Sequence, residues 1–130
     1  APGEMISKVT IPLPAADDRL RLYKVSRRRD LDIASFTAAV RIRVDGHQIV
    51  DAKIAYGAVG PTVLRASDTE QFLIGRPFDK TTFREAGDVA VAEVAPITDV
   101  RGAKAYRLQL TRNILRKFFH QEAEKSAAVF

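Results

Sequence analysis

The sequence predicts an α+β fold, with an antiparallel β-sheet of three to four strands followed by about three helices packed on one face of the sheet. Apolar residues recur at every second position in the first half of the chain and at every third or fourth position in the second half. Strands and helices in separate blocks favour α+β over an alternating α/β fold. The 130 residues, 46% of them hydrophobic, suffice for one core, and we expect a single domain over residues 1–130.

Three segments in the first third of the chain have the alternating pattern of strands. Residues 9–13 alternate apolar and polar side chains, and the prolines at positions 12 and 14 confine such a strand to the edge of a sheet. Residues 19–25 alternate in the same way, with Leu20 and Leu22 on one face. The clearest strand has five apolar residues at a period of two, namely Phe36, Ala38, Val40, Ile42 and Val44.

A β-hairpin is predicted after this strand. Asp45 and Gly46 are residue types typical of a tight turn. The alternation then resumes, with Asp51 and Lys53 on the outward face. The expected inward residues are Val50, Ala52, Ile54 and Tyr56.

Two helices are predicted in the middle of the chain. Residues 64–74 are expected to form a short helix that ends at Gly75, because glycine accepts the positive φ angle that follows many helices. Asp79 is a suitable N-cap for a second helix, which has Gly87 on its inward side and ends before Pro96.

The third helix has the strongest pattern and is expected after Asp99 and Gly102. Its inward residues recur every four positions, at Tyr106, Leu110, Ile114 and Phe118. Its polar side is expected to carry Arg107, Arg112, Arg116 and Lys117. The last residues, 126–130, are expected to fray.

The composition excludes several kinds of catalytic site. Without cysteine, these residues hold no disulfide, thiolate nucleophile, iron–sulfur cluster or cysteine-bound zinc. The two histidines, His47 and His120, are not at metal-ligand spacing from each other or from paired carboxylates. No apolar run reaches the ~18 residues of a membrane span. We expect a cytoplasmic protein with no membrane partner.

The formal net charge of +5 raises nucleic acid as an alternative partner. The candidate contacts are Arg27, Arg28 and Arg29, together with the cations of the third helix. However, acidic residues are interspersed among the basic ones, and Phe118 and Phe119 fall on the expected core side of that helix. Nucleic-acid binding is therefore the disfavoured alternative, and a purely structural docking module is a third interpretation.

The most unusual segment joins two predicted strands and carries four cations within six residues, Lys24, Arg27, Arg28 and Arg29. Loops at strand ends are frequent binding sites, although a solvated charged connector is the simpler interpretation of such a run. A lysine offers a point charge to an electron-rich heterocycle, whereas arginine offers planar donors. A cation beside the N1/O2 edge of a flavin stabilises its anionic reduced form.

Several stretches of the chain, taken together and in order, carry a family resemblance. They read PGEMI followed by TIP, YKVSRRRDLDIA, AKIAYGAVGPT followed by RA, and APITDVRG followed by AYR. With these stretches, the chain resembles the flavoprotein C-terminal domain shared by carbon monoxide dehydrogenases and xanthine dehydrogenases. Within that family it is most similar to the FAD-binding small subunit of bacterial xanthine dehydrogenases.

The resemblance implies a fragment of a longer FAD-binding subunit that is inactive alone. Its FAD would be shared with a preceding FAD-binding domain, and a 2Fe-2S domain of the same chain is a further implied partner. A large subunit with the molybdenum cofactor would hydroxylate a purine, after which electrons cross two 2Fe-2S clusters to the flavin, which reduces NAD. The implied fold, an antiparallel sheet backed by helices, agrees with the hydrophobic pattern.

The resemblance also assigns flavin-proximal residues within the cationic segment. Lys24 matches the lysine that reaches the flavin ring. Arg28 and Arg29 belong to a loop, residues 27–32, that influences access by NAD in some relatives, and Leu31 stands where some relatives have an acidic residue. No catalytic residue or metal ligand is assigned within this chain.

The segment from Asp99 to Arg107 is a further candidate site, because it combines an acid, two arginines and a tyrosine. A structural role is the simpler interpretation. Asp99 is expected near the positive N-terminal end of the third helix, and Tyr106 is expected to pack inward.

Overall fold

Four antiparallel strands form the sheet, and three helices follow them in the chain and pack on one of its faces. The computed structural model describes residues 2–127, and the side chains of residues 2–125. The elements are β1 (Asp18–Val25), β2 (Phe36–Asp45), β3 (Gln48–Gly57), β4 (Leu64–Arg65), α1 (Ser67–Leu73), α2 (Lys80–Glu93) and α3 (Lys104–Ala127). The strand order is β1-β2-β3-β4, which confirms the predicted α+β class. The fraying expected for residues 126–130 falls mostly outside the described residues.

The inward faces of β2 and β3 form the centre of the core. Val40 and Ile42 are fully buried, as the period-two pattern predicts, and they pair across the sheet with Ile54 and Ala52. The helices cover this face with apolar side chains that are also fully buried. These include Leu73, Phe83, Ala86, Ala90, Leu115 and Phe118.

A β-bulge changes which residues of β3 face the core. The pairing register shifts between Arg43 and Val44, so that Val44 pairs with Ile49. An extra residue in one strand reverses the alternation of side chains on the turn side of the bulge. The prediction that Val50 faces inward is therefore wrong, since Val50 is 44% exposed and Ile49 is fully buried.

The short edge strand predicted at residues 9–13 is also wrong. This segment has no regular secondary structure, and Val9, Ile11 and Leu13 are all exposed. The prolines at positions 12 and 14 remove two backbone donors, and no described strand pairs with the segment. As a result, β1 forms the edge of the sheet.

The first helix is shorter than predicted. Leu64 and Arg65, which were expected to begin it, form β4 and pair with the end of β3. The glycine expected to follow the helix, Gly75, has a φ angle of +83°. Asp79 caps α2 as predicted, because its carboxylate accepts a hydrogen bond from the backbone N–H of Thr82 at 2.8 Å.

The N-terminus of α1 is capped by a residue from another helix. The N-cap residue itself, Ala66, makes no side-chain capping bond. Instead, the carboxylate of Glu93 accepts hydrogen bonds from the backbone N–H groups of Asp68 at 2.8 Å and Thr69 at 2.9 Å. Because Glu93 is the last residue of α2, the cap also fixes the point at which the chain leaves that helix.

We expect Glu93→Ala to lower the free energy of unfolding by about 1–2 kcal/mol, because two backbone donors of α1 lose their acceptor. Urea denaturation followed by circular dichroism measures the difference. Glu85→Ala is the control on the same helix, since the half-buried Glu85 lies 3.8 Å from Arg76 and 3.9 Å from Arg84. This control is expected to change stability by less than about 0.5 kcal/mol. Equal losses from the two substitutions would contradict the capping role.

Candidate functional site at the loop end

Three connecting segments meet at the end of the sheet where β1 and β3 finish and β2 begins. These segments are residues 26–35, 58–63 and 94–103. We call this region the loop end. The hydroxyl of Ser35 donates to the carbonyl oxygen of Arg101 at 2.8 Å, and the N–H of Ala95 donates to the carbonyl oxygen of Val59 at 3.0 Å. The three segments therefore form one hydrogen-bonded unit.

The cationic loop is folded by its own hydrogen bonds. The N–H of Arg28 donates to the carboxylate of Asp32 at 2.9 Å, and a guanidinium nitrogen of Arg28 donates to the carbonyl oxygen of Leu31 at 3.0 Å. The hydrogen bond from the Arg28 backbone N–H is also the main reason that the pKa of Asp32 lies below its usual range. These bonds fix a turn in which Leu31 has a φ angle of +49° and is 96% exposed.

The structure separates the roles of the three predicted flavin-proximal residues. Lys24 is exposed near the end of β1, where it pairs with Thr37 and lies on the sheet face that the helices leave open. Among the described residues it has no ion pair. Arg28 is engaged within its loop, with Asp32 also 3.9 Å away, whereas Arg29 is exposed and unpaired within the described part of the chain.

Arg107 is the residue of the loop end that sequence reasoning missed. Tyr106 was expected to face inward and Arg107 outward, but Tyr106 is 45% exposed and Arg107 is 2% exposed. The Arg107 guanidinium donates to the carbonyl oxygens of Ser35 at 3.0 Å and Ile97 at 2.6 Å, and to both oxygens of the Asp99 carboxylate at 2.8 and 2.9 Å. The buried carbonyl groups require donors, and the start of α3 is oriented so that Arg107 supplies them.

Asp99 has a structural role, as predicted, but it does not cap α3. The first N–H group of α3, that of Lys104, donates instead to the side-chain hydroxyl of Thr98 at 2.9 Å. Asp99 instead accepts the N–H of Arg101 at 2.8 Å and pairs with Arg107. These bonds, first that from Arg101 and then that from Arg107, hold the pKa of the Asp99 carboxyl below its usual range.

Five large aliphatic side chains are exposed at the loop end, namely Leu31, Ile33, Val63, Ile97 and Val100. Exposed apolar residues gathered in one region are typical of binding surfaces. Beside them lies a cavity of about 360 Å³, lined by residues of the second and third segments and by Arg107. A backbone φ angle of +66° at Ala58 helps to shape its wall.

The loop end combines exposed cations and apolar side chains with acids that are mostly engaged. Two of its three acids, Asp32 and Asp99, are engaged by backbone N–H groups and arginine, whereas the third, Asp30, is exposed. Among the described residues, no group of three or more histidine, cysteine, aspartate or glutamate side chains is placed to hold a metal ion. No described helix is long and apolar enough to cross a membrane.

The structure defines an α+β domain with three loop segments gathered at one end of its sheet. Comparison with protein families gives a match to the CO dehydrogenase flavoprotein C-terminal domain over residues 21–122, and the chain belongs to this family. The family resemblance inferred from the sequence is thereby confirmed.

Relatives in the family belong to larger proteins. The chain is 34% identical over 126 residues to xanthine dehydrogenase 1 of Arabidopsis thaliana, covering 90% of this chain and 9% of that protein. It is 32% identical over 116 residues to the carbon monoxide dehydrogenase medium chain of Afipia carboxidovorans, covering 89% of this chain and 40% of that one. The chain therefore spans less than half the length of these relatives.

Solved structures show the same fold. A chain of the Cu,Mo-CO dehydrogenase in a cyanide-inactivated form has a TM-score of 0.74 and 32% identity, over 82% of this chain and 37% of that one. A chain of quinoline 2-oxidoreductase from Pseudomonas putida 86 has a TM-score of 0.76 and 30% identity, over 88% of this chain and 39% of that one.

Proposed function

We propose that residues 1–130 are the C-terminal domain of the FAD-binding subunit of a xanthine dehydrogenase-type molybdenum hydroxylase. In this role the domain covers the flavin that receives electrons from 2Fe-2S clusters and passes them to NAD during purine hydroxylation. Membership of the flavoprotein domain family is the observation that carries the proposal. Relatives named as xanthine dehydrogenases, at up to 35% identity, support this type of enzyme.

Two exposed apolar regions support a covering partner within the same enzyme. The first is the segment before β1, in which Met5, Ile6, Val9, Ile11 and Leu13 are all exposed. The second is the aliphatic group at the loop end. We propose that both pack against the preceding FAD-binding domain, which would share the FAD with this domain, while the 2Fe-2S clusters and the molybdenum cofactor lie in other parts of the complex.

We propose that the exposed residues near the end of β1 face one edge of the flavin. Bound FAD supplies the two-electron redox chemistry, and the chain supplies charge and apolar surface around it. Lys24 is an unpaired cation beside the exposed Leu22, which lies two residues earlier on the same strand face. Arg29 is a second exposed cation. The Arg28 guanidinium donates to the carbonyl oxygen of Leu31 and so stabilises the loop. Lys24 is therefore the residue that we propose to place positive charge at the flavin ring.

In the assembled enzyme, we expect Lys24→Gln to lower the flavin midpoint potential by about 30 mV, a tenfold change for a two-electron couple. The loss of a positive charge destabilises the anionic reduced flavin. Spectroelectrochemistry measures the potential, and NAD reduction should slow more than purine oxidation with an artificial acceptor. Lys53→Gln, which removes another exposed lysine from the same open face, is the matched control.

Three outcomes would separate the possible interpretations of Lys24. An unchanged potential, or an equal loss of both reactions, would remove Lys24 from the flavin step. Loss of assembly alone, with normal rates in the remaining complex, would favour the structural docking module. The same shift in Lys53→Gln would indicate a general effect of surface charge.

The distribution of basic side chains disfavours a nucleic-acid module. Arg27 and Arg29 are at the loop end, whereas Arg112 is held by Asp88 at 2.7 Å and the Lys117 ammonium lies 5.7 Å from the centre of the Tyr23 ring. These cations lie on different elements, and two of them are engaged with separate partners. They do not form the continuous basic stripe with interleaved aromatics that single-stranded nucleic acid requires.

A further inference from the structure

A second group of cations lies at the end of the domain opposite to the loop end. Here the backbone N–H of Phe78 donates a hydrogen bond to the carbonyl oxygen of His47 in the hairpin turn. The Phe78 ring packs against the ring of Phe119 on α3. A pocket of about 320 Å³ opens beside Phe119, between α2 and α3. Its lining residues are Lys80, Arg84, Arg116, Phe119 and His120. On α3, Arg116 is nine residues beyond Arg107, or roughly 13 Å along the helix axis, which separates this pocket from the candidate flavin site.

The pocket cations are poorly neutralised by the protein. No ion pair to Lys80 or Arg116 exists among the described side chains. Arg84 has one ion pair, at 3.9 Å to the half-buried Glu85, and pairs at such distances near the surface contribute little. No carboxylate is among the lining residues.

Three acids at the N-cap of α2 and along that helix have partners of their own. The carboxylate of Asp79 accepts the backbone N–H of Thr82, and that of Asp88 pairs with Arg112 at 2.7 Å. Glu85 lies 3.8 Å from Arg76 as well as near Arg84. None of these carboxylates lines the pocket.

The spacing of the pocket residues along the helices concentrates the charge further. Lys80 and Arg84 are at positions i and i+4 of α2, so the two cations are neighbours on one helix face. Arg116 and His120 have the same spacing on α3. The like charges of Lys80 and Arg84 repel each other at this spacing, and an anion bound between the helices would attract both cations and offset their repulsion.

The floor of the pocket is rigid. The Phe119 ring is 5.4 Å from the ring of Phe78 and 5.7 Å from that of Phe83, which is fully buried in the core. The two helices that carry the donors are therefore packed around one aromatic residue of the core edge.

We propose that this pocket binds a phosphate group. Two guanidinium groups and an ammonium group provide charge-assisted donors from two directions, and arginine matches the geometry of phosphate oxygens with paired N–H groups. A dianion neutralises more of the unpaired charge than one carboxylate does. The phosphate is either free inorganic phosphate or the phosphate group of a nucleotide, since both present the same oxygens.

The test is a titration of the 130-residue chain with sodium phosphate, followed by ¹H–¹⁵N NMR, with NaCl adjusted to keep the ionic strength constant. We expect saturable shifts for the amides of residues 80–84 and 116–120, with a Kd of about 1 mM. The double variant Arg84→Gln/Arg116→Gln should weaken binding by about tenfold or more. Arg112→Gln, one helical turn away, is the control and should keep the Kd within about twofold.

A second titration with ADP identifies the source of the phosphate. Tighter binding of ADP than of phosphate, with shifts at the same amides, assigns the pocket to a nucleotide, and equal or weaker binding assigns it to inorganic phosphate. Shifts that do not saturate, shifts spread over all basic residues, or an unchanged Kd in the double variant would overturn the proposal. Because all substituted side chains are exposed, the variants are expected to keep the fold.

Discussion

Gly87→Ala is expected to lower the free energy of unfolding by about 2 kcal/mol, although the same change in an exposed helix stabilises by about 1 kcal/mol. A Cβ atom at Gly87 would lie 2.5 Å from the carbonyl oxygen of Arg112 and 3.3 Å from its carbonyl carbon. The obstacle is the backbone of α3, which cannot move away as a flexible side chain does. The two helices must therefore separate, and the core contacts between them weaken.

The control for this prediction is Ala92→Gly, at an exposed position of the same helix. That change is expected to cost about 1 kcal/mol through helix propensity alone. Urea denaturation of the two variants separates propensity from packing, because propensity predicts opposite signs for them. A Gly87→Ala chain as stable as the parent would mean that α2 and α3 are further apart than the structure places them.

The sequence predicted the core of the sheet because its signal is local. Phe36 to Ile42 alternate without interruption, and each buried residue can be read from its neighbours two positions away. The burial of Ile49 in place of Val50 could not be predicted in this way. A bulge is a property of the pair of strands, and both residues are β-branched and apolar, so composition does not distinguish the two registers.

The absence of the edge strand at residues 9–13 has a different cause. Alternation describes which face a strand would bury, but a strand also requires a partner for its backbone groups. Within the described residues no strand pairs with this segment, although β1 leaves one edge of the sheet unpaired. The apolar pattern is consistent with burial against the FAD-binding domain that we propose to precede it.

The candidate site was only partly predictable. The cationic segment is visible in the sequence, but the sequence does not reveal that Arg28 folds back on its loop and leaves Lys24 and Arg29 available. Arg107 was assigned to the polar side of α3 because charged residues are rarely buried. The exception depends on two carbonyl groups and one carboxylate that only the tertiary fold brings together. The one available signal was an acid, Asp99, in the same motif.

Arg107→Met is expected to lower the free energy of unfolding by about 3 kcal/mol, the largest loss among these substitutions. Methionine fills much of the volume but has no donors, and the carbonyl oxygens of Ser35 and Ile97 and the carboxylate of Asp99 lose their partner. Urea denaturation measures the loss. Arg112→Met is the control on the same helix, since its pair with Asp88 is exposed and contributes at most about 1 kcal/mol.

The pH dependence of this loss tests its cause. The pKa of Asp99 is lowered in the folded chain, so its ionised form contributes stability above the ordinary value of 3.8, and that contribution is lost as pH falls through the folded pKa. The difference between the parent and Arg107→Met should therefore shrink below about pH 4. It should not vanish, because the bonds from Arg107 to the two carbonyl oxygens do not titrate. A stability difference that does not change with pH would show that Asp99 is not part of the Arg107 network. An Arg107→Lys chain as stable as the parent would show that a single charge is sufficient. Hydrogen exchange of the Arg107→Met chain gives a further measurement. If amide protection is lost only at the loop end, Arg107 is the residue that holds the three segments in position beside the proposed flavin surface.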